Sequence, residues 1–109
     1  MLDVQAALTS ARVPGYRDAF QPTPGVTEPP GVYCVYQITE IPTWYADDAP
    51  TATLTRALLY LYGVNSPKTA QAAIDSAMKA QDFELRRKRD DREPNSGRYV
   101  IISEWEGID

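Results

Sequence analysis

The residues able to carry chemistry are few. Asp47 and Asp48 stand side by side in the stretch WYADDAPTAT, where two carboxylates raise the question of a divalent-metal site or of acid–base work. Neighbours on an extended chain point apart, no further ligand cluster lies close by in sequence, and Asp forms turns through its own backbone hydrogen bonds. The pair therefore reads as a turn before it reads as a metal site or a small metal-dependent hydrolase. Cys34 is single, so it cannot close an internal disulfide, and its place in an alternating apolar run makes it a small buried hydrophobe rather than a nucleophile. The chain has no histidine, which removes the commonest general base, the commonest transition-metal ligand and the usual pH switch together. The expectation is a protein with no catalytic residue, no metal and no cofactor, and so not an enzyme.

The strongest charge signal is RRKRDDR, Arg86 to Arg92, five basic residues and two acidic ones whose fields partly cancel. On a regular strand Arg86 and Lys88 face one way and Arg87 and Arg89 the other, which cannot offer all four cations to one phosphate row. Two roles fit: a solvated edge strand whose charges prevent sticking to other edges, or one side of a channel past which DNA travels. A net charge of -4 over 109 residues argues against a wide nucleic-acid grip, though a local basic module built from Arg86, Arg87, Lys88, Arg89, Arg92 and Arg98 stays open as the alternative function.

The elements that hold these residues follow from periodicity. A chain of this length, 43% hydrophobic, fits one domain, residues 1–109, with one modest core. Leu2 to Arg12 is alanine-rich and predicts a short helix burying Val4, Ala7, Leu8 and Ala11. Residues 13–31 hold prolines at 14, 22, 24, 29 and 30, which predicts an extended loop, with Tyr16 and Phe20 placed to pin it to the body. Val32 to Thr39 alternates as a strand, with Val32, Cys34, Tyr36 and Ile38 on the drier face. Trp44 to Pro50 reads as a wide connection. The run up to Gly63 is the next strand, with Ala57, Leu59 and Leu61 on one face and Arg56, Leu58, Tyr60 and Tyr62 on the other. Ser66 as cap and Pro67 as first residue open a helix whose apolar positions are Ala70, Ala73, Ile74, Ala77 and Met78. Phe83 to Arg92 and Arg98 to Glu106 then form a hairpin across the turn Glu93-Pro94-Asn95-Ser96-Gly97.

The expected fold is α+β: an antiparallel sheet of about four strands in two hairpins, packed by the central helix, with a short N-terminal helix, in the order α-β-β-α-β-β. A helix covers one face of such a sheet. The face carrying Arg56, Leu58, Tyr60 and Tyr62 is then either covered by the first helix and the proline loop or left for a partner. No apolar run reaches the length of a membrane span, and the start of the chain lacks the pattern of a signal peptide, so a soluble intracellular protein is expected.

Several stretches in this order resemble the small tail-completion or tail-terminator proteins of long-tailed bacteriophages, which join the tail to the head. They are Val32-Tyr33-Cys34-Val35-Tyr36, Trp44-Tyr45-Ala46-Asp47-Asp48, Leu59-Tyr60-Leu61-Tyr62-Gly63 before an alanine-rich helix, Asp90-Asp91-Arg92-Glu93-Pro94 to Gly97-Arg98-Tyr99, and the closing Glu104-Trp105-Glu106. The resemblance spans nearly the whole chain after the proline loop, and the length of that loop is where the chain departs from the group. It implies a structural virion protein, made in the host cytoplasm and found at the tail or head–tail interface. Its partners would be other copies of itself in a hexameric ring, the tail-tube protein and the connector, with a passing contact with DNA. Arg56, Leu58, Tyr60, Tyr62, Trp44 and Tyr45 are the candidate interface, and Arg86, Arg87, Lys88 and Arg89 the candidate channel or charged edge. The loops 13–31 and 44–50 are candidates for ordering on assembly.

Overall fold

The computed structural model describes residues 2–20, 30–46, 49–94 and 97–108, with the backbone alone for 43–46 and 49–51. Its elements run α1 (Val4–Ser10), β1 (Gly15–Arg17), β2 (Val32–Ala46), β3 (Ala49–Gly63), α2 (Lys68–Ala80), β4 (Glu84–Arg92) and β5 (Tyr99–Ile108). The architecture is α+β, as the alternation of periods predicts, but the sheet is mixed and five-stranded, in the order β1-β2-β3-β5-β4.

The additional strand lies inside the segment expected to be irregular. Gly15-Tyr16-Arg17 is free of proline, and it pairs parallel to Cys34-Val35-Tyr36. Cys34 N–H donates to the Pro14 carbonyl and Asp18 N–H to the Tyr36 carbonyl, each at 2.8 Å. Gly15 is needed at this point because a Cβ there would stand 2.5 Å from Leu8 Cδ1. Each helix ends without glycine in the same way. Arg12 (φ 59°) and Asp82 (φ 68°) adopt the left-handed conformation. The next residue's N–H then bonds back to the last turn, Val13 to the Leu8 carbonyl and Phe83 to that of Met78. Val13 and Phe83 are buried by that turn. The first helix therefore ends at Ser10, with Ala11 as its cap, ahead of Pro14.

β2 and β3 form a hairpin longer than expected, paired as far as Ala46↔Ala49. Most of the connection predicted over Trp44–Pro50 is thus strand, with register shifts beside Trp44. Asp47 and Asp48 lie outside the described residues. Because β5 joins β3 only from Leu54 on, the far end of this hairpin is a two-stranded arm. α2 begins one residue later than its sequence signals: Pro67 is the cap and gives no side-chain bond, while Gln71 N–H reaches the Pro67 carbonyl at 2.9 Å. Ser66 is exposed and does not cap. Ile74, Met78 and Gln71 are the buried positions of α2, with Ala70 and Ala77 partly buried; Ala73 faces solvent, since the stripe is centred on 74 and 78.

Both helices lie on one face of the sheet. The cross-strand rows Cys34–Leu61–Ile101, Tyr36–Leu59–Ser103 and Ile38–Ala57–Trp105 meet Val4, Ala7, Leu8, Ile74, Met78 and Phe83. Trp105 is fully buried beside the small Ala57, and its indole N–H donates to Ser103 Oγ at 3.0 Å, so the polar atom of each is satisfied. α1 does not cover the opposite face. Among the described residues, no helix is long and apolar enough to cross a membrane.

Candidate functional site: the helix-free face of the sheet

On the face away from the helices, the register sets out four rows. They are Tyr33–Tyr62–Val100, Val35–Tyr60–Ile102, Gln37–Leu58–Glu104 and Thr39–Arg56–Glu106, extended by Asp91, Arg89, Arg87 and Glu84 of β4. The sequence places Leu58, Tyr60 and Tyr62 together here, and the strand alternation keeps them so.

The two tyrosines have different surroundings. Tyr62 stacks on Tyr33 with ring centroids 5.0 Å apart and planes 18° from parallel. Tyr33 in turn meets Tyr16 and Phe20 edge-on, at 6.2 and 6.1 Å. Tyr16 and Phe20 do pin the start of the proline segment to the body. Arg98 lies over the Tyr33 ring at 5.5 Å and donates to the carbonyl of Pro30 at 2.8 Å, so it closes the cluster from the other side. Burial raises the pKa of both Tyr33 and Tyr62, with the Arg98 charge opposing it at Tyr33. Tyr60 stands outside this cluster, half-buried beside half-buried Leu58 and Ile102. The side chains of Trp44 and Tyr45 lie outside the described part; their backbones run in β2 toward the arm.

A β-bulge changes the predicted orientation of the arginines. β4 pairs with β5 as Leu85↔Trp105 and then Arg87↔Glu104, leaving Arg86 as the extra residue. Arg86 Nε consequently meets Glu106 Oε2 at 3.5 Å, on the same face as Arg87 and Arg89, where Arg56 Nε meets Glu106 Oε1 at 3.3 Å. Lys88 alone turns to the helix side and pairs with Asp75, which also accepts from Gln71 Nε2 at 2.7 Å. Strict alternation predicted two and two; the bulge gives three and one. Arg92 lies over the Tyr99 ring at 4.5 Å. Of the six cations considered for nucleic acid, Arg87 and Arg89 are the two for which no specific contact is found among the described residues.

A cleft of about 380 Å³ opens elsewhere, on the helix side between the start of α2 and β4, with Ser66, Pro67, Lys68, Asp90, Arg92 and Tyr99 in its wall. Among the described residues no three His, Cys, Asp or Glu side chains gather as metal ligands. Cys34 is fully buried, and burial pushes its thiol up to about 12, far from the thiolate a nucleophile needs. The roles of Tyr16, Phe20, Tyr33 and Arg98 as one cluster were not legible beforehand, because a parallel strand of three residues leaves no periodic signature. In comparisons with protein-family models and with curated proteins, the sequence matches no family and no characterised relative.

Proposed function

We propose that this chain is a structural virion protein that completes or terminates the tail of a long-tailed bacteriophage and takes part in head–tail joining as a ring-forming subunit. The observation that supports it most is the helix-free face, where no element among the described residues covers partly exposed Tyr60 and Leu58 or exposed Arg56, in the middle of a sheet whose other face packs the core. A subunit of a closed ring needs one surface for each neighbour and others for the tube below and the connector above. Partly exposed tyrosine and exposed arginine beside leucine suit such contacts, Tyr and Arg being favoured anchors at protein interfaces. The tail-tube and connector proteins are the partners in this reading, and the virion is its site. Tyr60→Ala tests it. The variant keeps its fold by circular dichroism and its melting midpoint within a few degrees, and loses at least tenfold in its ability to complete tails in an assembly extract; full complementation overturns the interface assignment.

The bulge also favours one point of the second reading, a nucleic-acid contact, since it brings Arg86, Arg87 and Arg89 to one face. A duplex-binding constant falling with salt to about the 0.9 power for each phosphate neutralised would support it, and no binding at low salt would remove it.

A further inference from the structure

One part of the molecule lacks support and another lacks cover. β3 extends beyond its last pair with β5, Leu54↔Ile108, and β2 runs on beside it, so Pro42–Ala46 and Ala49–Thr53 pair only with each other among the described residues. A two-stranded hairpin by itself is marginally stable in water, and such an arm is held by what it lies against. The surface without cover is the cross-strand row Val35–Tyr60–Ile102 on the helix-free face, with Arg89 at its β4 end. The molecule's own arm cannot cover that row. Strand rise puts Tyr60 about 24 Å from Thr53, where the arm begins, and makes the arm from Pro42 to Ala46 only about 14 Å long. Even bent back at its base, its strands fall short.

We infer that the arm of one copy of this chain lies across the Tyr60 row of the next copy. The proposal rests on the reading that copies assemble through the helix-free face, and it names what that face receives. Composition is the first ground. Between Pro42 and Leu54 the sequence holds Trp44, Tyr45, small residues, two aspartates and no base. The row offers half-buried Val35, Tyr60 and Ile102 beside Arg89, an exposed cation for which no specific contact is found among the described residues. An aromatic and acidic arm therefore complements an apolar row that ends in a cation. Placement is the second ground. The arm and the row are unlike parts of the chain that one molecule cannot bring together, so their contact joins two copies head to tail. Such a contact closes to a ring when its rotation permits.

Disulfide trapping in the full chain decides the matter, because Cys34 is fully buried and stays out of the reaction. Ala52→Cys and Thr53→Cys mark the two sides of the arm, since neighbours on a strand face opposite ways, and Tyr60→Cys and Arg89→Cys mark the row. Each arm variant is mixed with each row variant, oxidised at rising protein concentration and run without reductant. The expected result is a disulfide-linked dimer from at least one mixture, tenfold or more above the dimer from either protein alone. The same two substitutions in one chain should give a ladder of trimers and larger species. A locked monomer from that double variant would put the arm on its own face and overturn the proposal. So would an equal dimer from a row variant alone, which means face against face, or no dimer from any mixture up to millimolar protein. Tail completion by Tyr60→Ala is read separately. If it is lost while no mixture cross-links, the arm contact is rejected and the broader function stands.

Discussion

The two faces of one sheet use the same kinds of residue to opposite ends. On the helix side, Cys34, Leu59, Leu61, Ile101 and Trp105 are essentially closed to solvent, and the Trp105 indole N–H finds its acceptor in Ser103 Oγ. On the other side, polarity changes along the strands, from the Tyr33–Tyr62 stack through half-buried Tyr60 and Leu58 to the Arg56–Glu106–Arg86 group. Folding accounts for the first face and for the aromatic end of the second. Among the described residues no element covers the middle of the second face, which is where the proposed partner would dock.

The comparison breaks most easily at the core. Leu59→Ala removes a side chain with 1% exposure from the centre of the sheet and should cost about 2–5 kcal/mol, measured by urea unfolding. Leu58→Ala, one residue along and on the open face, should cost less, about 1–2 kcal/mol, because part of its apolar surface is already in water. Equal losses at the two positions would mean that the open face is as well packed as the core, and the division drawn between them would fail. At Arg56 the exposed guanidinium pairs with Glu106 in water-accessible surroundings, so its removal should change stability by about 0–1 kcal/mol.

A second difference is electrostatic. Cys34 belongs to the closed face, and its thiol is held neutral up to about 12 against its ordinary 9.0. The folded protein thus keeps a proton that the unfolded chain releases above pH 9, so stability is intact below that pH and falls between pH 9 and 12. The slope contributed by this one group approaches about 1.4 kcal/mol per pH unit. Tyr33, Tyr36 and Tyr62, also raised by burial, add to the fall in the same direction at higher pH. Cys34→Ala should flatten the fall between pH 9 and 10, where the thiol of the unfolded chain ionises first; an unchanged slope there would place the loss on the tyrosines instead.

The alternation of Ala57, Leu59 and Leu61 with Leu58, Tyr60 and Tyr62 makes the two faces of β3 legible from composition alone, and the period change after Pro67 does the same for α2. The other features depend on single-residue events that periodicity cannot register. The bulge at Arg86 reverses the facing of one arginine and decides which cations share a side. β1 is three residues among prolines, and it matters because Gly15 lets α1 approach and because its flanking aromatics close over Tyr33. The long arm was hidden by Asp, Ala and Pro residues that read as a connection, although a strand on an edge can hold Pro42 where its missing N–H costs no ladder bond.

The helix ends provide the smallest test, and it reaches both sides of the comparison at once. Arg12 and Asp82 pay the steric cost of a left-handed backbone so that Val13 and Phe83 can turn into the core. Glycine relieves that cost at a C′ position while adding backbone freedom to the unfolded chain, so Arg12→Gly should stabilise the protein by about 0.5–1 kcal/mol, read as a higher urea midpoint with unchanged slope. Nothing on the open face depends on Arg12, which is exposed and faces solvent. Assembly should therefore be unaffected while stability rises. A stabilised variant that assembled less well would tie the open face to the ends of the helices beneath the sheet, and the two faces would no longer be independent.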